Sequence, residues 1–204
     1  FINMKKNKTK KNIIFIDQQL GNNWDTILNF GSNAKFKFDV EKYWKNLDLF
    51  FDLLKKKFPK DRILIASHPR RPKNKCSGKN KFVFDKTGEL IRDSKLVIAH
   101  DSQSLCFAVL FRKPIIIVNM EILKYTSMTR LYQMNGLARK LGCTLINFNH
   151  NTKNLMNKIE NRKILKVNNK KYYNYEKNYI GFPGLNSQGF MWKKIPDTLN
   201  KLKF

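Results

Sequence analysis

The run Lys95-Leu-Val-Ile-Ala-His-Asp-Ser-Gln-Ser-Leu-Cys-Phe-Ala-Val-Leu-Phe-Arg-Lys-Pro-Ile-Ile-Ile-Val118 changes character in blocks. It reads as a buried strand over Lys95 to Ala99, a polar corner from His100 to Ser104, a short apolar helix from Leu105 to Arg112, and a second buried strand from Pro114 to Val118. A continuous apolar run bounded by polar residues suits a parallel strand covered on both faces, and the hydroxyls at the corner suit the cap of the helix that follows. The stretch is a βαβ unit. Its polar groups gather outside the carboxyl end of a strand, where sheets of this class bind ligands.

Working outward, the same alternation continues. Ile13 to Ile16 opens a strand that ends in Asp17-Gln-Gln-Leu-Gly, and a loop is expected between Gly21 and Asp39. From Val40 to Phe58 the apolar residues Tyr43, Trp44, Leu47, Phe50, Phe51, Leu54 and Phe58 keep the three-and-four spacing of an amphipathic helix, which Pro59 stops. Arg62 to Ala66 is a buried strand running into Ser67-His-Pro-Arg70, and Lys81 to Phe84 is a short strand. Thr87 is placed to cap a helical turn over Gly88 to Asp93. A helix is expected over Ser127 to Leu141 with Gly142 at its C′ position, then a strand at Thr144 to Phe148 and a helix at Thr152 to Glu160. The pattern predicts an α/β fold: a doubly wound, Rossmann-like parallel sheet with helices on both faces. The expected organisation is a basic linker or arm at 1–12, a ligand-binding domain at 13–160, and an irregular or helical extension at 161–204 whose aromatic residues pack on that domain.

The chain has 204 residues, enough for one domain with a substantial core. Its 41 Lys and Arg against 15 Asp and Glu give a net charge of +26, a surface that attracts phosphates, anionic lipid or nucleic acid. Only eight of those cations are Arg, and the lysines are scattered through a chain rich in Asn, Ile and Phe, so part of the charge reads as composition. Cys76, Cys106 and Cys143 are too few and too widely spaced for a disulfide framework or a zinc site, which fits a reducing, cytoplasmic setting. No apolar run reaches the roughly 20 residues needed to span a bilayer, so any membrane contact is expected to be peripheral. The first residue is Phe1, and the chain reads as a fragment.

Two strand ends carry the candidate chemistry. Ser67, His68, Pro69 and Arg70 follow one strand directly; His100, Asp101, Ser102, Gln103 and Ser104 follow another. If both strands lie in one sheet, the corners converge on a crevice, with the helix beginning near Ser102 pointing its free N–H groups into it. Lys113 or Arg70 would add charge-assisted bonds to a phosphate. Asp17, Gln18 and Glu121 are further pocket candidates. Ser102 and Ser104 are equally suited to plain capping, and Asp17 and Gln18 to a simple turn.

Residues Glu89 to Ile116 resemble the donor-site segment in the carboxyl-terminal domain of GT-B glycosyltransferases that build bacterial surface polysaccharides, and are similar in layout to CDP-glycerol glycerophosphotransferases. His68-Pro69 with Ser102 and Ser104 resembles the His-Pro and Ser-Ser motifs of sialyltransferases and Kdo transferases, which use CMP-sugars; here Gln103 separates the two serines. The resemblance implies one half of a GT-B fold, with the acceptor-binding amino-terminal domain outside this chain and the fragment inactive alone. It implies that His68 is catalytic as a contact to the donor phosphate, and that Ser102 and Ser104 bind phosphate with the helix end.

The function expected on these grounds is metal-independent transfer of a sugar or polyol phosphate, a CMP-sugar being one candidate donor, to a surface glycan or lipid-linked acceptor. The sequence holds no Asp-x-Asp metal motif and calls for no cofactor beyond the donor itself. The expected setting is cytoplasmic, at the inner face of an anionic membrane. Two other readings remain open at this point. A nucleotide-sugar 2-epimerase would need poised carboxylates, for which only Asp101 and Glu121 stand near the corners. A basic nucleic-acid-binding module would need a lysine stripe with interleaved aromatics, which the sequence does not show, so no specific nucleic acid is expected as a partner.

Overall fold

The computed structural model describes residues 12–20, 38–74, 78–126, 129–148, 156–157 and 159–181. The amino-terminal arm, most of the loop expected after Gly21, Cys76, the start of the helix expected from Thr152 and the carboxyl-terminal stretch with Phe182, Phe190 and Trp192 lie outside the described residues.

Six strands form one sheet: β1 (Asn12–Ile16), β2 (Arg62–Ala66), β3 (Lys81–Val83), β4 (Leu96–Ala99), β5 (Ile115–Met120) and β6 (Thr144–Phe148). Their lateral order is β3-β2-β1-β4-β5-β6 and every pairing is parallel. The fold is Rossmann-like α/β, as the alternation of elements predicts. β1 and β4 occupy the centre, and every residue of both is buried, which is why their sequences are apolar throughout apart from Asn12 at the entry.

Among the described residues, the α-helices with both ends placed are α1 (Val40–Lys57), α2 (Thr87–Arg92), α3 (Leu105–Leu110), α4 (Arg130–Leu141) and α5 (Asn169–Tyr175). The step from β1 to β2 runs one way across the sheet, while those from β3 to β4, β4 to β5 and β5 to β6 run the other. Right-handed crossovers therefore put α1 on one face and α2, α3 and α4 on the opposite one. The packing agrees: α2 touches α3, α4 touches α5, and Phe51 of α1 meets the Phe15 ring of β1 at 5.5 Å.

α1 starts where Asp39 accepts a hydrogen bond from the Lys42 N–H (2.9 Å), and Lys55, Lys56 and Lys57 sit in its last turn, where the helix dipole favours cations. It buries Tyr43, Trp44, Leu47, Phe50, Phe51 and Leu54, each worth roughly 1.5–3 kcal/mol if fully withdrawn from water. Gly142 ends α4 in the left-handed conformation (φ 63°), as its place in the sequence predicts.

Two boundaries differ from expectation. Thr87 lies inside α2, whose cap position is Lys86. α3 closes at Leu110 because Arg112 turns into the left-handed region (φ 51°) to redirect the chain toward β5. Within the extension, residues 161–181 are helical in short pieces: a 3-10 turn over Arg162–Leu165 leads to α5, capped by Asn168, and then to a wider π-helical turn over Glu176–Ile180. Of its tyrosines Tyr172 is buried and donates its hydroxyl to the Lys113 carbonyl (2.8 Å), whereas Tyr173 and Tyr179 stay exposed. No helix among the described residues is long and apolar enough to cross a membrane.

Candidate functional site

The chain leaves β1 toward α1 on one face and leaves β4 toward α3 on the other, so the strand order reverses between these two neighbours. A crevice of about 460 Å³ opens there, at the carboxyl edge of the sheet, lined by Asp17 and Gln18 after β1, Ser67 to Pro69 after β2, and Asp101 to Ser104 after β4. Ile16, Ala66, Thr87 and Arg130 complete it. The two corners singled out in the sequence thus share one crevice, with the end of β1 between them.

The corner after β1 is fixed by a buried ion pair. Asp17 meets Arg71 through both carboxylate oxygens, the contact from Nη2 to Oδ1 being 2.8 Å, and also accepts the backbone N–H groups of Gln19 (2.9 Å) and His68 (3.2 Å). Gln19 adopts φ 53°, held by that bond and by its Nε2 bond to the Arg70 carbonyl (3.1 Å). Asp17 is therefore a support of the crevice wall with its acceptor capacity spent inside the protein.

His68 is half-buried and lines the crevice. The Arg70 N–H donates to its Nδ1 (3.1 Å), which places the proton of the neutral ring on Nε2. His68 is thereby set as a hydrogen-bond donor through Nε2. Ser102 accepts the Ser104 N–H at its hydroxyl oxygen (3.2 Å) and keeps its own O–H proton to donate; the Ser104 hydroxyl makes no capping bond.

Asp101 is gripped from two sides. Gln18 Nε2 donates to its Oδ1 at 2.9 Å, while Arg130 donates from Nε to both oxygens (3.1 and 2.9 Å) and from Nη2 to Oδ1 (2.9 Å). Burial acts to raise the pKa of this carboxyl but is outweighed by the Arg130 bonds and charge, with Gln18 helping, so it titrates below the usual range. Gln18 Oε1 is buried without a partner among the described residues.

Four candidates belong elsewhere. His100 is fully buried: its Nε2 meets the Tyr43 hydroxyl at 2.9 Å, its Nδ1 the Val118 carbonyl at 2.5 Å, and its ring lies against Phe15. With both nitrogens used, it ties β4 to β5 and α1 and makes no wall of the crevice. Burial, reinforced by the Arg130 charge and opposed by the Val118 carbonyl, brings its pKa down to about 4. Lys113 sits at the opposite, amino-terminal edge, where its ammonium bonds the Ser94 carbonyl (2.8 Å). Glu121 begins the 3-10 turn Glu121–Tyr125, largely exposed and paired with Lys124 (2.8 Å). Arg70 is exposed and does not line the crevice. The helix end expected to face a phosphate also differs: α3 begins at Leu105 and has only six residues.

Arg130 is a crevice residue that the sequence pattern does not single out. It opens α4, lines the crevice and is absent from both corners because it lies about 30 residues beyond the second. One signal is present: a cation in the first turn of a helix runs against the dipole, and α4 carries no acidic residue there to offset it. Among the described residues no group of three or more His, Cys, Asp or Glu side chains is placed to hold a metal ion.

No protein-family model matches the chain, and no curated protein is significantly similar to it.

Proposed function

We propose that this domain is the donor-binding half of a glycosyltransferase that moves a sugar or polyol phosphate from a nucleotide donor to a surface glycan or lipid-linked acceptor at the cytoplasmic side of an anionic membrane. The observation that carries the reading is the polar crevice at the point where the strand order reverses, built from both corners that resemble the donor site of GT-B enzymes. Its volume suits a nucleotide-sized ligand.

In the proposed step for a sugar, the bond from the donor's sugar carbon to the phosphate oxygen breaks as the acceptor oxygen bonds to that carbon; for a polyol phosphate, the acceptor oxygen bonds to the polyol's phosphorus as the bond from that phosphorus to the bridging oxygen breaks and the nucleotide monophosphate leaves. Negative charge develops on the departing phosphate. His68, Ser102 and Ser104 line the crevice and carry the donor groups that would meet this charge, and donors held in a preformed site are the condition under which such stabilisation is strongest. The acceptor's proton goes to a base contributed from outside the crevice. An epimerase is disfavoured by geometry: Asp101 is locked by Arg130 and Gln18, and Glu121 is outside the crevice.

The direct test is nucleotide binding. CMP, CDP, UDP or GDP should raise the melting temperature of the purified chain, by mass action about 2.7 kcal/mol of stability at a hundredfold excess over Kd. His68→Ala should weaken that shift while leaving the unliganded melting temperature nearly unchanged. Indifference of the wild-type protein to all four nucleotides would overturn the reading.

A further inference from the structure

We infer that Arg130 is the side chain that takes an anionic group in this crevice, and that Asp101 and Thr126 are positioning residues that orient its guanidinium. The inference rests on the crevice being a donor site, and it concerns which residue grips the phosphate there.

A guanidinium carries five N–H donors in a rigid plane. In Arg130, Nε and one N–H of Nη2 are committed to Asp101, and one N–H of Nη1 to Thr126 Oγ1 at 2.6 Å. Two N–H groups, one on each terminal nitrogen, have no partner among the described residues and are left for a ligand. Thr126 donates its own hydroxyl proton to the Leu123 carbonyl (2.7 Å), so a lone pair of its oxygen is what faces Arg130. Asp101 is held in turn by Gln18. The plane of the guanidinium is therefore set from two sides by groups that are themselves anchored.

Both remaining donors lie in the guanidinium plane, one on each terminal nitrogen, from which the group can reach the oxygens of a phosphate. The Arg130 side chain is only 14 % exposed, which strengthens a bond made there relative to one made in open solvent. Placing a cation in the first turn of α4 works against the helix dipole, and an anion bound to it would offset that mismatch. The Asp101–Arg130 pair is neutral as a unit. Anion binding then depends on directed N–H bonds, in contrast to the salt-sensitive attraction of a +26 surface.

Calorimetric titration with inorganic pyrophosphate and with CMP, at 0.3 M salt to suppress adsorption on the basic surface, tests this. Arg130→Gln should weaken both ligands by about tenfold or more, the loss expected when hydrogen bonds to a charged group are removed. Arg130→Lys should fail to restore them, because an ammonium cannot present two coplanar donors. Asp101→Asn should weaken both, Asp101→Glu should recover part of the loss, and Thr126→Val, a milder change, should give a smaller loss in a folded protein even if Asp101→Asn unfolds. Folded Arg130→Gln protein that binds both ligands like wild type would overturn the inference while leaving the nucleotide reading intact. Wild-type binding of pyrophosphate, lost in Arg130→Gln, together with indifference to CMP, CDP, UDP and GDP alike, would sustain Arg130 and sink the transferase. Binding of neither ligand by wild type would overturn the inference, and the nucleotide reading falls with it if CDP, UDP and GDP fail as well.

Discussion

Gln18 and Asp101 join the ends of the two central strands: Nε2 of the first donates to Oδ1 of the second at 2.9 Å, across 83 residues of sequence. The geometry makes Gln18→Met and Gln18→Glu diverge. Methionine loses one hydrogen bond but also removes the buried, unpartnered Oε1, so the net cost should stay under about 1 kcal/mol. Glutamate sets a second carboxylate against Asp101 and should cost more, with part of the loss regained as pH falls and the introduced carboxylate takes up a proton. Urea midpoints for the two variants at pH 7.5 and 5 would show it; equal costs at both pH values would contradict it.

His100 makes stability depend on pH. Its pKa is about 4 in the folded protein against about 6.5 unfolded, so between these values the unfolded chain binds a proton that the native one does not. The stability it confers is full above about pH 6.5, falls as pH drops toward 4, and loses nothing further below; the total is on the order of 3 kcal/mol. Urea midpoints of wild type and His100→Gln measured across this range should converge toward pH 4. Parallel profiles would show that His100 is not the group responsible.

Removal of Arg71 leaves Asp17 charged, buried and short of its main partner. Arg71→Ala should cost about 3–5 kcal/mol, the usual penalty for stranding half of a buried pair. Its guanidinium also lies near the Trp44 and Phe82 rings (5.4 and 5.6 Å), so packing is lost with the charge. The double variant Asp17→Asn/Arg71→Met should recover a measurable part of that cost in denaturant unfolding, and a double variant less stable than Arg71→Ala would refute the explanation.

Gly142→Ala tests the end of α4. A Cβ at φ 63° is strained in itself, and it would stand 2.6 Å from Lys171 Cδ and 3.1 Å from Asn168 Cβ. A loss of about 1 kcal/mol or more is expected, read as a lower melting temperature. Gly136, on the same helix with nothing within 4 Å of its Cβ position, should accept alanine with a gain.

Much of the fold is legible because its strands are buried on both faces. Ile13 to Ile16, Leu96 to Ala99 and Ile115 to Val118 are apolar without alternation, and α1 carries an unbroken three-and-four pattern. The bounds of α5 are not legible: Asn169-Lys-Lys-Tyr-Tyr-Asn-Tyr175 has a single buried residue, Tyr172, and so no periodicity to read. For the site, a residue placed just after a strand is located by the strand itself, which is why His68, Asp101, Ser102 and Ser104 come together. The direction a side chain takes at that edge is a tertiary matter. His100 turns inward because Tyr43 and Val118 offer both ring nitrogens partners, and Lys113 stands at the other edge because it precedes a strand. Arg130 is brought to the crevice by a helix that begins far along the chain, a relation carried by no local pattern.

Asp17, besides pairing with Arg71, holds the His68 amide, so the residue expected to touch a ligand hangs from the same carboxylate that anchors the end of β1, while Gln18, next in sequence, reaches the Asp101 corner. Three loops from three strands are thereby cross-braced before any ligand arrives. A ligand entering this crevice meets walls already assembled and gives up little conformational entropy in ordering them, so its binding energy is not diverted into building the site.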